Sequence, residues 1–203
     1  MRNALQDPIP ELAIAADLLS QAVDAVLDNN APLASSLIRQ SDLPEIMEYA
    51  VRAVGKMTLE VHRSTTRPKV LPKAERHPIR MPPQSYQTSI FERDGWHCRF
   101  CGSPVICKTA RARLVKLFPT ETHWNGKEFQ RHSALYAMAS SLDHVVPHGR
   151  GGVNEESNFV TACYCCQFGR GEWMLEEVEV SDPRQRPPIT TSWDGLTHLN
   201  RHK

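Results

Sequence analysis

The chain has 203 residues, of which 40% are hydrophobic and 23% charged, with a formal net charge of +1 at pH 7. This length suffices for one full domain and a smaller one, and the composition is that of an ordinary globular protein. No apolar run approaches the roughly 20 residues that span a bilayer. The first residues also lack the apolar stretch of a secretory signal. We therefore expect a soluble, cytoplasmic protein with no membrane partner.

Residues 1–63 predict a small helical bundle. Apolar residues recur at helical spacing over residues 9–29, a short second helix follows, and a third helix over about 42–59 begins with Ser41 or Asp42 as N-cap. This module carries a net charge of −4 (five basic and nine acidic residues) and no catalytic type of titratable cluster. We expect it to dock a protein partner or to form a homo-oligomer.

Residues 64–84 form a segment rich in proline and basic side chains. Prolines remove backbone donors and favour extended chain, so the segment predicts a semi-rigid linker that isolates two hydrophobic cores. Residues 64–118 as a whole carry +8 (eleven basic and three acidic residues), while residues 119–203 carry −3 (eight basic and eleven acidic). A basic middle predicts a surface that faces phosphates. The linker is then either a solvated tether or an arm that follows a nucleic-acid backbone.

Residues 85–180 predict a second domain, of α+β class, followed by a tail over 181–203 that packs back on it. A short helix is expected to end before the turn at Asp94-Gly95. The remaining predicted elements are helices over 110–118 and 132–141, strands over 141–146 and 159–162, and a helix from Tyr164. The two helices surround a loop that contains His123 and Trp124, and His132 follows it. These residues serve core packing, a plain surface role or contact with DNA.

Four cysteines predict a structural zinc site. Cys98 and Cys101 form one C-x-x-C pair, and Cys163 and Cys166 form another. A two-residue gap lets one tight turn present two thiolates to the same ion, and two such turns complete a tetrahedral site with no open position. Cys107 and Cys165 are left over, and Cys165 competes in principle for the second pair.

Between the two pairs lies Asp143-His144, followed by Pro147 and Gly149. Adjacent strand residues point to opposite faces, so both side chains can serve one site only where the strand bends at its end, as the proline and glycine predict. A neutral imidazole is a suitable general base at cellular pH. A carboxylate is a hard ligand suited to Mg²⁺ or Mn²⁺.

These segments together resemble the HNH endonucleases, whose fold is the zinc-stapled ββα-metal domain. The resemblance covers about residues 86–175 and rests on the order and spacing of its parts. The matching segments are Phe91–Gly102, Asp143–Pro147, Arg150–Gly152, Asn158–Val160 and Cys163–Cys166. It implies a metal-dependent endonuclease that hydrolyses DNA phosphodiester bonds, with a helical insertion between Cys101 and Asp143.

The resemblance also assigns roles to single residues. His144 is the general base, Asn158 braces the loop that carries it, and Asp143 is a ligand of the catalytic Mg²⁺ or Mn²⁺. The family has His or Asn directly after the last zinc cysteine, whereas this chain has Gln167, whose extra methylene moves the carbonyl oxygen outward. The residues expected to meet phosphates are His148, Arg150 and Arg170, although a plain surface role is equally open for each.

Two other functions compete with the nuclease. In one, the longer Gln167 marks a catalytically weakened, zinc-stabilised module that binds DNA. In the other, the HNH fold is a scaffold and the N-terminal helices mediate a protein interaction.

Overall fold

A computed structural model describes residues 1–54, 68–79 and 81–201 of the chain. The part of the predicted third helix after residue 54 and the first residues of the predicted linker lie outside these ranges. The elements, in chain order, are α1 (Glu11–Leu27), α2 (Ala31–Gln40), α3 (Pro44–Val54), α4 (Gln84–Arg93), α5 (Lys108–Leu117), α6 (Pro119–Thr122), α7 (Ser133–Ala137), β1 (Ser140–His144), β2 (Phe159–Cys163) and α8 (Tyr164–Arg170).

The N-terminal helices form where the apolar spacing predicted them. α1 buries the stripe that includes Leu12, Leu19 and Val23, and it packs mainly against α2. The expected N-cap of α3 is wrong, because α3 begins at Pro44 and the Asp42 carboxylate instead accepts a hydrogen bond from the Ser133 amide at 2.7 Å. Asp42 therefore ties this part of the chain to the start of α7.

The two separate hydrophobic cores that the sequence predicted form a single core in the structure. α3 packs against α7 and α8, and the buried apolar residues of the described chain form one continuous cluster from α1 to the C-terminal turn. The approach is close, because a Cβ added at Gly169 in α8 would lie 2.6 Å from the carbonyl oxygen of Ala53 in α3. The linker prolines do not isolate two cores, since the apolar face of α3 is needed to cover α7 and α8.

β1 and β2 pair as an antiparallel hairpin whose register runs from Ser140 opposite Cys163 to His144 opposite Phe159. All five residues of β2 are buried. α4 and α8 both pack against the hairpin. The predicted strands and the following helix are confirmed to within two residues at each end, and the mixed α+β class is confirmed with them. α7 is shorter than predicted, because Ser140 already belongs to β1.

Residues 68–79, here called the strap, lie against the loop that joins β1 to β2. The Leu71 amide donates to the Gly149 carbonyl at 2.7 Å, and Arg76 Nε donates to the Leu71 carbonyl at 2.7 Å. This part of the predicted linker is therefore bound to the domain, and a solvated tether is the wrong description of it.

The tail packs back on the domain as expected. Trp193 Nε1 donates to the Val105 carbonyl at 2.9 Å, and Leu196 and Leu199 are fully buried. Within the described ranges, no helix combines the length and the apolar character that crossing a bilayer requires.

Candidate functional site

The four cysteines of the two C-x-x-C pairs converge as predicted. Their Sγ atoms all lie within 4.8 Å of one another, and the Sγ atoms of Cys101 and Cys163 are 3.8 Å apart. Four sulfurs at about 2.3 Å from a central zinc ion are separated by roughly 3.8 Å along each edge of the tetrahedron. The cage therefore has the donors and the size for a metal ion such as zinc.

Local backbone structure holds the cage. In the first pair, the Cys98 amide donates to the Ser103 carbonyl and the Gly102 amide to the Cys98 carbonyl, both at 2.8 Å. In the second pair, the Cys166 amide donates to Cys163 Sγ at 3.4 Å, so that the sulfur caps the start of α8. Each pair is one tight turn, as its spacing predicted.

The two leftover cysteines lie outside the cage. Cys165 Sγ is directed at the Ala137 carbonyl in α7, at 3.8 Å, and Cys107 Sγ lies 3.1 Å from Thr109 Oγ1 at the start of α5. Burial raises the pKa of the Cys98 thiol, whereas hydrogen bonds from Cys163, Cys166 and Cys98 hold the pKa of the Cys101 thiol well below its usual range. A cation is needed before all four sulfurs ionise together.

A cleft of about 100 Å³ opens at the end of the hairpin. Its lining includes Asp143 and His144 from the end of β1, Gln167 from α8 and His148 from the connecting loop. The predicted bend at the strand end is present, since neighbouring residues Asp143 and His144 line one cleft. Tertiary folding thus brings together most of the residues that the sequence singled out.

His144 is held by residues on three sides. Its ring packs on Phe159 at 4.7 Å between centroids and lies 5.8 Å from the ring of His148. Its Nε2 lies 2.9 Å from Asn154 Oδ1. The Asn154 amide nitrogen donates to the Ile79 carbonyl of the strap at 2.6 Å, so Oδ1 is the atom that faces the imidazole. Nε2 then carries the proton, and Nδ1 is the basic nitrogen.

Asn158 braces the loop between the strands. Its side-chain oxygen accepts from the Val146 amide at 2.8 Å, and its side-chain nitrogen donates to the carbonyls of Val146 at 3.1 Å and Val153 at 3.0 Å. The loop closes tightly, because a Cβ at Gly152 would lie 1.8 Å from the Val146 carbonyl oxygen. The geometry matches the bracing role that the resemblance implied.

Asp143 is buried and paired with Arg170. Its Oδ2 accepts from the Arg170 guanidinium at 2.9 Å, and burial raises the pKa of the Asp143 carboxyl although the arginine opposes the shift. Arg170 is only 2% exposed, and it also donates to the carbonyls of His144 at 2.6 Å and Trp173 at 2.7 Å. The expectation that Arg170 meets phosphates is therefore wrong in this structure, since its guanidinium organises the strand end from inside.

Gln167 differs from the expected ligand geometry. Its Oε1 accepts a hydrogen bond from the Ser141 hydroxyl, and its Nε2 donates to the Leu142 carbonyl at 3.2 Å. The longer arm thus folds along β1, where Ser141 and Asp143 share one face. The carbonyl oxygen has two lone pairs, so Gln167 can bind a cation through the lone pair that the Ser141 hydroxyl leaves open.

The other expected phosphate contacts lie around the cleft. His148 Nε2 donates to the His77 carbonyl of the strap at 2.8 Å. Arg150 lies outside the cleft lining and forms a two-pronged pair with Glu177 at 2.9 and 3.0 Å. Sequence reasoning missed Glu172, which lines the cleft and accepts from the Gly149 amide at 3.1 Å. It also missed Asn154, whose orientation depends on a hydrogen bond to the main-chain carbonyl of Ile79. A side-chain motif carries no information about such a partner.

Two of the three residues that the sequence singled out in the insertion are used in packing. His132 is fully buried and donates to the Ile38 carbonyl of α2 at 2.9 Å. Trp124 packs against the guanidinium groups of Arg111 and Arg131, at 4.6 and 4.9 Å. His123 is a surface residue whose Nε2 lies 3.3 Å from the Asp42 carboxylate.

Among residues 1–54, 68–79 and 81–201, the cysteine quartet is the one set of three or more His, Cys, Asp or Glu side chains close enough to share an ion. The cleft therefore offers a cation oxygen donors but no ready-made cage. Comparisons of the chain with protein-family models, with curated proteins and with solved structures found no match. Its function must be inferred from the residues and their geometry.

Proposed function

We propose that this chain is a metal-dependent endonuclease of HNH type that hydrolyses DNA phosphodiester bonds, with a zinc ion in the cysteine quartet. The observation that carries the proposal is the strand–loop–strand–helix unit between the two C-x-x-C pairs. In it His144 ends β1, Asn158 fixes the connecting loop, and α8 begins at the second cysteine pair and leads Gln167 into the cleft. The order of these segments in the sequence, their fold and the meeting of their side chains in one cleft all support metal-dependent hydrolysis of a phosphodiester.

His144 is the general base in this mechanism. The Asn154 contact places the proton on Nε2, so Nδ1 takes the proton from the attacking water, a contribution of roughly 10²–10⁴-fold in rate. Phe159 and the loop braced by Asn158 keep the ring in place. Arg170 fixes Asp143 and the carbonyl of His144 in one network, which limits movement of the strand end.

Asp143 would hold the catalytic Mg²⁺ or Mn²⁺, with Glu172 and Gln167 as further oxygen donors in the cleft. Such ions bind through one or two carboxylates together with water and substrate phosphate, so a cleft without a complete protein cage fits them. When bound, the ion supplies charge stabilisation of the phosphate. Two residues of the expected set remain candidates for contact with the substrate. His148 lines the cleft, and Arg150 would contact the substrate outside the cleft lining.

The second candidate is a weakened, zinc-stabilised module that binds DNA without cutting it. Two contacts favour it. Arg170 occupies one oxygen of Asp143, and the Ser141 hydroxyl occupies the oxygen of Gln167. Asp143 then offers a cation mainly its other oxygen, and Gln167 offers one remaining lone pair, which weakens the cation site.

Nicking of supercoiled plasmid in Mg²⁺ or Mn²⁺ separates the two candidates. We expect wild type to nick DNA, His144→Ala to lose roughly 10²–10⁴-fold in rate, and the control His123→Ala, at a histidine away from the cleft, to behave as wild type. A wild-type protein that shifts DNA in a gel but never nicks it supports the weakened module. Normal nicking by His144→Ala would remove this histidine from the mechanism.

A further inference from the structure

Four aromatic rings form a continuous row next to the cleft, here called the aromatic row, which is buried at Tyr136 and exposed at its two ends. Phe129 contacts Tyr136 with centroids 6.0 Å apart, Tyr136 contacts Tyr164 at 4.4 Å, and Tyr164 stacks on Phe168 at 4.2 Å with an interplanar angle of 30°. One end of the row reaches the candidate active site, because Phe168 directly follows Gln167 and lines the same cleft as Asp143.

Both ends of the aromatic row face solvent. Phe168 is 52% exposed and Phe129 is 42% exposed, and these are the two exposed aromatic side chains of the described chain. Burial of a phenylalanine side chain stabilises a protein because it removes apolar surface from water. The Phe168 ring is about half exposed at the edge of the cleft and therefore keeps apolar surface in water. A ligand with an apolar face can cover that surface.

The row is held in place before any ligand binds. The Tyr164 hydroxyl donates a hydrogen bond to Glu128, which anchors the ring beneath Phe168. Burial raises the pKa of Tyr164, and the hydrogen bond from Tyr164 lowers the pKa of Glu128, so the hydroxyl stays protonated and the carboxylate stays charged at neutral pH. A ring that is already oriented loses little side-chain entropy when another ring stacks on it.

The charges around the row select the part of a nucleic acid that can meet it. Glu128 is exposed and accepts a hydrogen bond from the hydroxyl of Tyr164, the neighbouring ring of the row. Its carboxylate repels a phosphate, whereas a base is uncharged and has an aromatic face. In a duplex that face is already covered by its neighbours, so only an unpaired base can stack on the protein.

We propose that Phe168 is a stacking platform for an unpaired base next to the bond that is cut, and that the preferred substrate is single-stranded DNA or a duplex with an unpaired segment. This inference rests on the proposed nuclease function. Base–aromatic stacking contributes about 1–3 kcal/mol per base, so its loss weakens binding by roughly 5- to 150-fold.

The test uses full-length protein and one labelled oligonucleotide in three forms: single-stranded, fully paired, and paired with a central bubble. Cleavage rates and dissociation constants are measured for wild type, Phe168→Leu, Phe168→Tyr and the control Phe129→Leu at the far end of the row. We expect wild type to favour the single strand and the bubble, and Phe168→Leu to bind both roughly tenfold more weakly. Phe168→Tyr keeps a ring and Phe129→Leu leaves the cleft intact, so both should match wild type.

The outcomes separate the two proposals. Cleavage of the paired form in preference to the other two overturns the stacking platform and leaves the nuclease standing. Equal binding of the single strand by Phe168→Leu and wild type has the same consequence. A protein that neither binds nor cuts any of the three forms overturns both.

Discussion

At the residue scale, His144 shows how a common side chain acquires a specific role. A neutral imidazole carries its proton on either of its two nitrogens, and the other nitrogen is then the one that can accept a proton. Here the choice follows from a chain of two hydrogen bonds, from the imidazole to the Asn154 oxygen at 2.9 Å and from the Asn154 nitrogen to the Ile79 carbonyl at 2.6 Å. The strap thus controls the protonation geometry of the candidate base through a single asparagine.

Replacing Asn154 should therefore slow cleavage without unfolding the protein. Asn154→Ala removes the acceptor for Nε2, and loss of such an orienting partner typically costs about 10- to 100-fold. Asn154→Asp keeps an acceptor for Nε2 but loses the hydrogen bond to the Ile79 carbonyl, so its rate should lie between those of wild type and Asn154→Ala. Nicking rates and the nitrogen NMR signals of the His144 ring provide the measurements. An alanine variant with an unchanged ring tautomer and an unchanged rate would show that Asn154 does not orient the base.

Asp143 and Gln167 show the opposite situation, in which the proposed ligand atoms already accept hydrogen bonds within the protein. The raised pKa of Asp143 follows from burial, against which Arg170 acts only in part. Gln167 uses its extra methylene to reach Ser141 along the strand. The departure from the family pattern thus changes what the side chain touches, and its role as a ligand stays a prediction.

At the element scale, the cysteine quartet fastens the turn after α4 to the start of α8. These segments lie more than sixty residues apart in the sequence, and Cys101 and Cys163 nevertheless bring their sulfurs to 3.8 Å. A metal ion that closes so long a loop contributes folding free energy directly. The quartet therefore sets the position of α8, on which Gln167, Phe168 and Arg170 depend.

Cys98→Ser should lose the bound zinc and destabilise the fold, whereas Cys107→Ser should do neither. Both thiols are buried, but only Cys98 belongs to the quartet, so the pair of variants separates loss of a ligand from loss of a buried thiol. Metal analysis of reduced protein should give about one zinc per chain for wild type and for Cys107→Ser. Zinc-free wild-type protein that folds normally would exclude the metal site.

The contact between the N-terminal helices and the insertion depends on a neutral histidine. His132 Nε2 donates to the Ile38 carbonyl at 2.9 Å and its Nδ1 accepts from the Leu135 amide at 3.4 Å, so both nitrogens are used in the neutral form. Burial lowers the pKa of His132, although the Ile38 carbonyl and Asp42 act in the other direction and His123 adds to the lowering. Folding therefore favours the unprotonated ring.

The stability of wild type should consequently fall in mild acid. Because the folded pKa of His132 lies below the unfolded value of about 6.5, the unfolded chain binds the proton first. The stabilisation is present above pH 6.5 and is lost as the pH falls toward the folded pKa, by at most about 1.4 kcal/mol per pH unit. Urea unfolding of wild type and His132→Gln over this range measures the difference, in which acid effects on the quartet cancel. Parallel pH curves for the two proteins would contradict the role of His132.

At the scale of the whole molecule, the N-terminal helices are part of the fold that carries the cleft. α3 lies against α7 and α8, and its Ile46, Tyr49 and Ala50 are at most 1% exposed. The strap joins the same unit through the Leu71 amide, which donates to the Gly149 carbonyl, and through the Ile79 carbonyl, which accepts from Asn154. A role of the N-terminal helices in docking or oligomerisation stays a prediction, and it must use the faces that this packing leaves open.

A core substitution in α3 should therefore weaken the whole chain. Ile46→Ala removes a fully buried side chain and should cost about 2–5 kcal/mol, while Val51→Ala on the 38% exposed side of the same helix should cost less than about 0.5 kcal/mol. Circular dichroism and zinc release, followed through denaturation, should report one transition in both variants. Early melting of α3 with the quartet and the nicking activity intact would instead establish two independent cores.

The features that could be predicted from the sequence are local, because each has a local physical cause. Apolar spacing located α1 and α3, β-prone residues located the two strands, two-residue gaps between cysteines predicted the quartet, and the residues after His144 predicted the bend at the strand end. The packing of the folded chain decided which of these parts share a core, because that depends on how the apolar faces of distant segments fit together. It also decided that Arg170 points inward, that Asn154 contacts the candidate base and that the strap is bound. Each of these depends on a main-chain carbonyl or a buried carboxylate brought close by folding, and no side-chain pattern records such a partner.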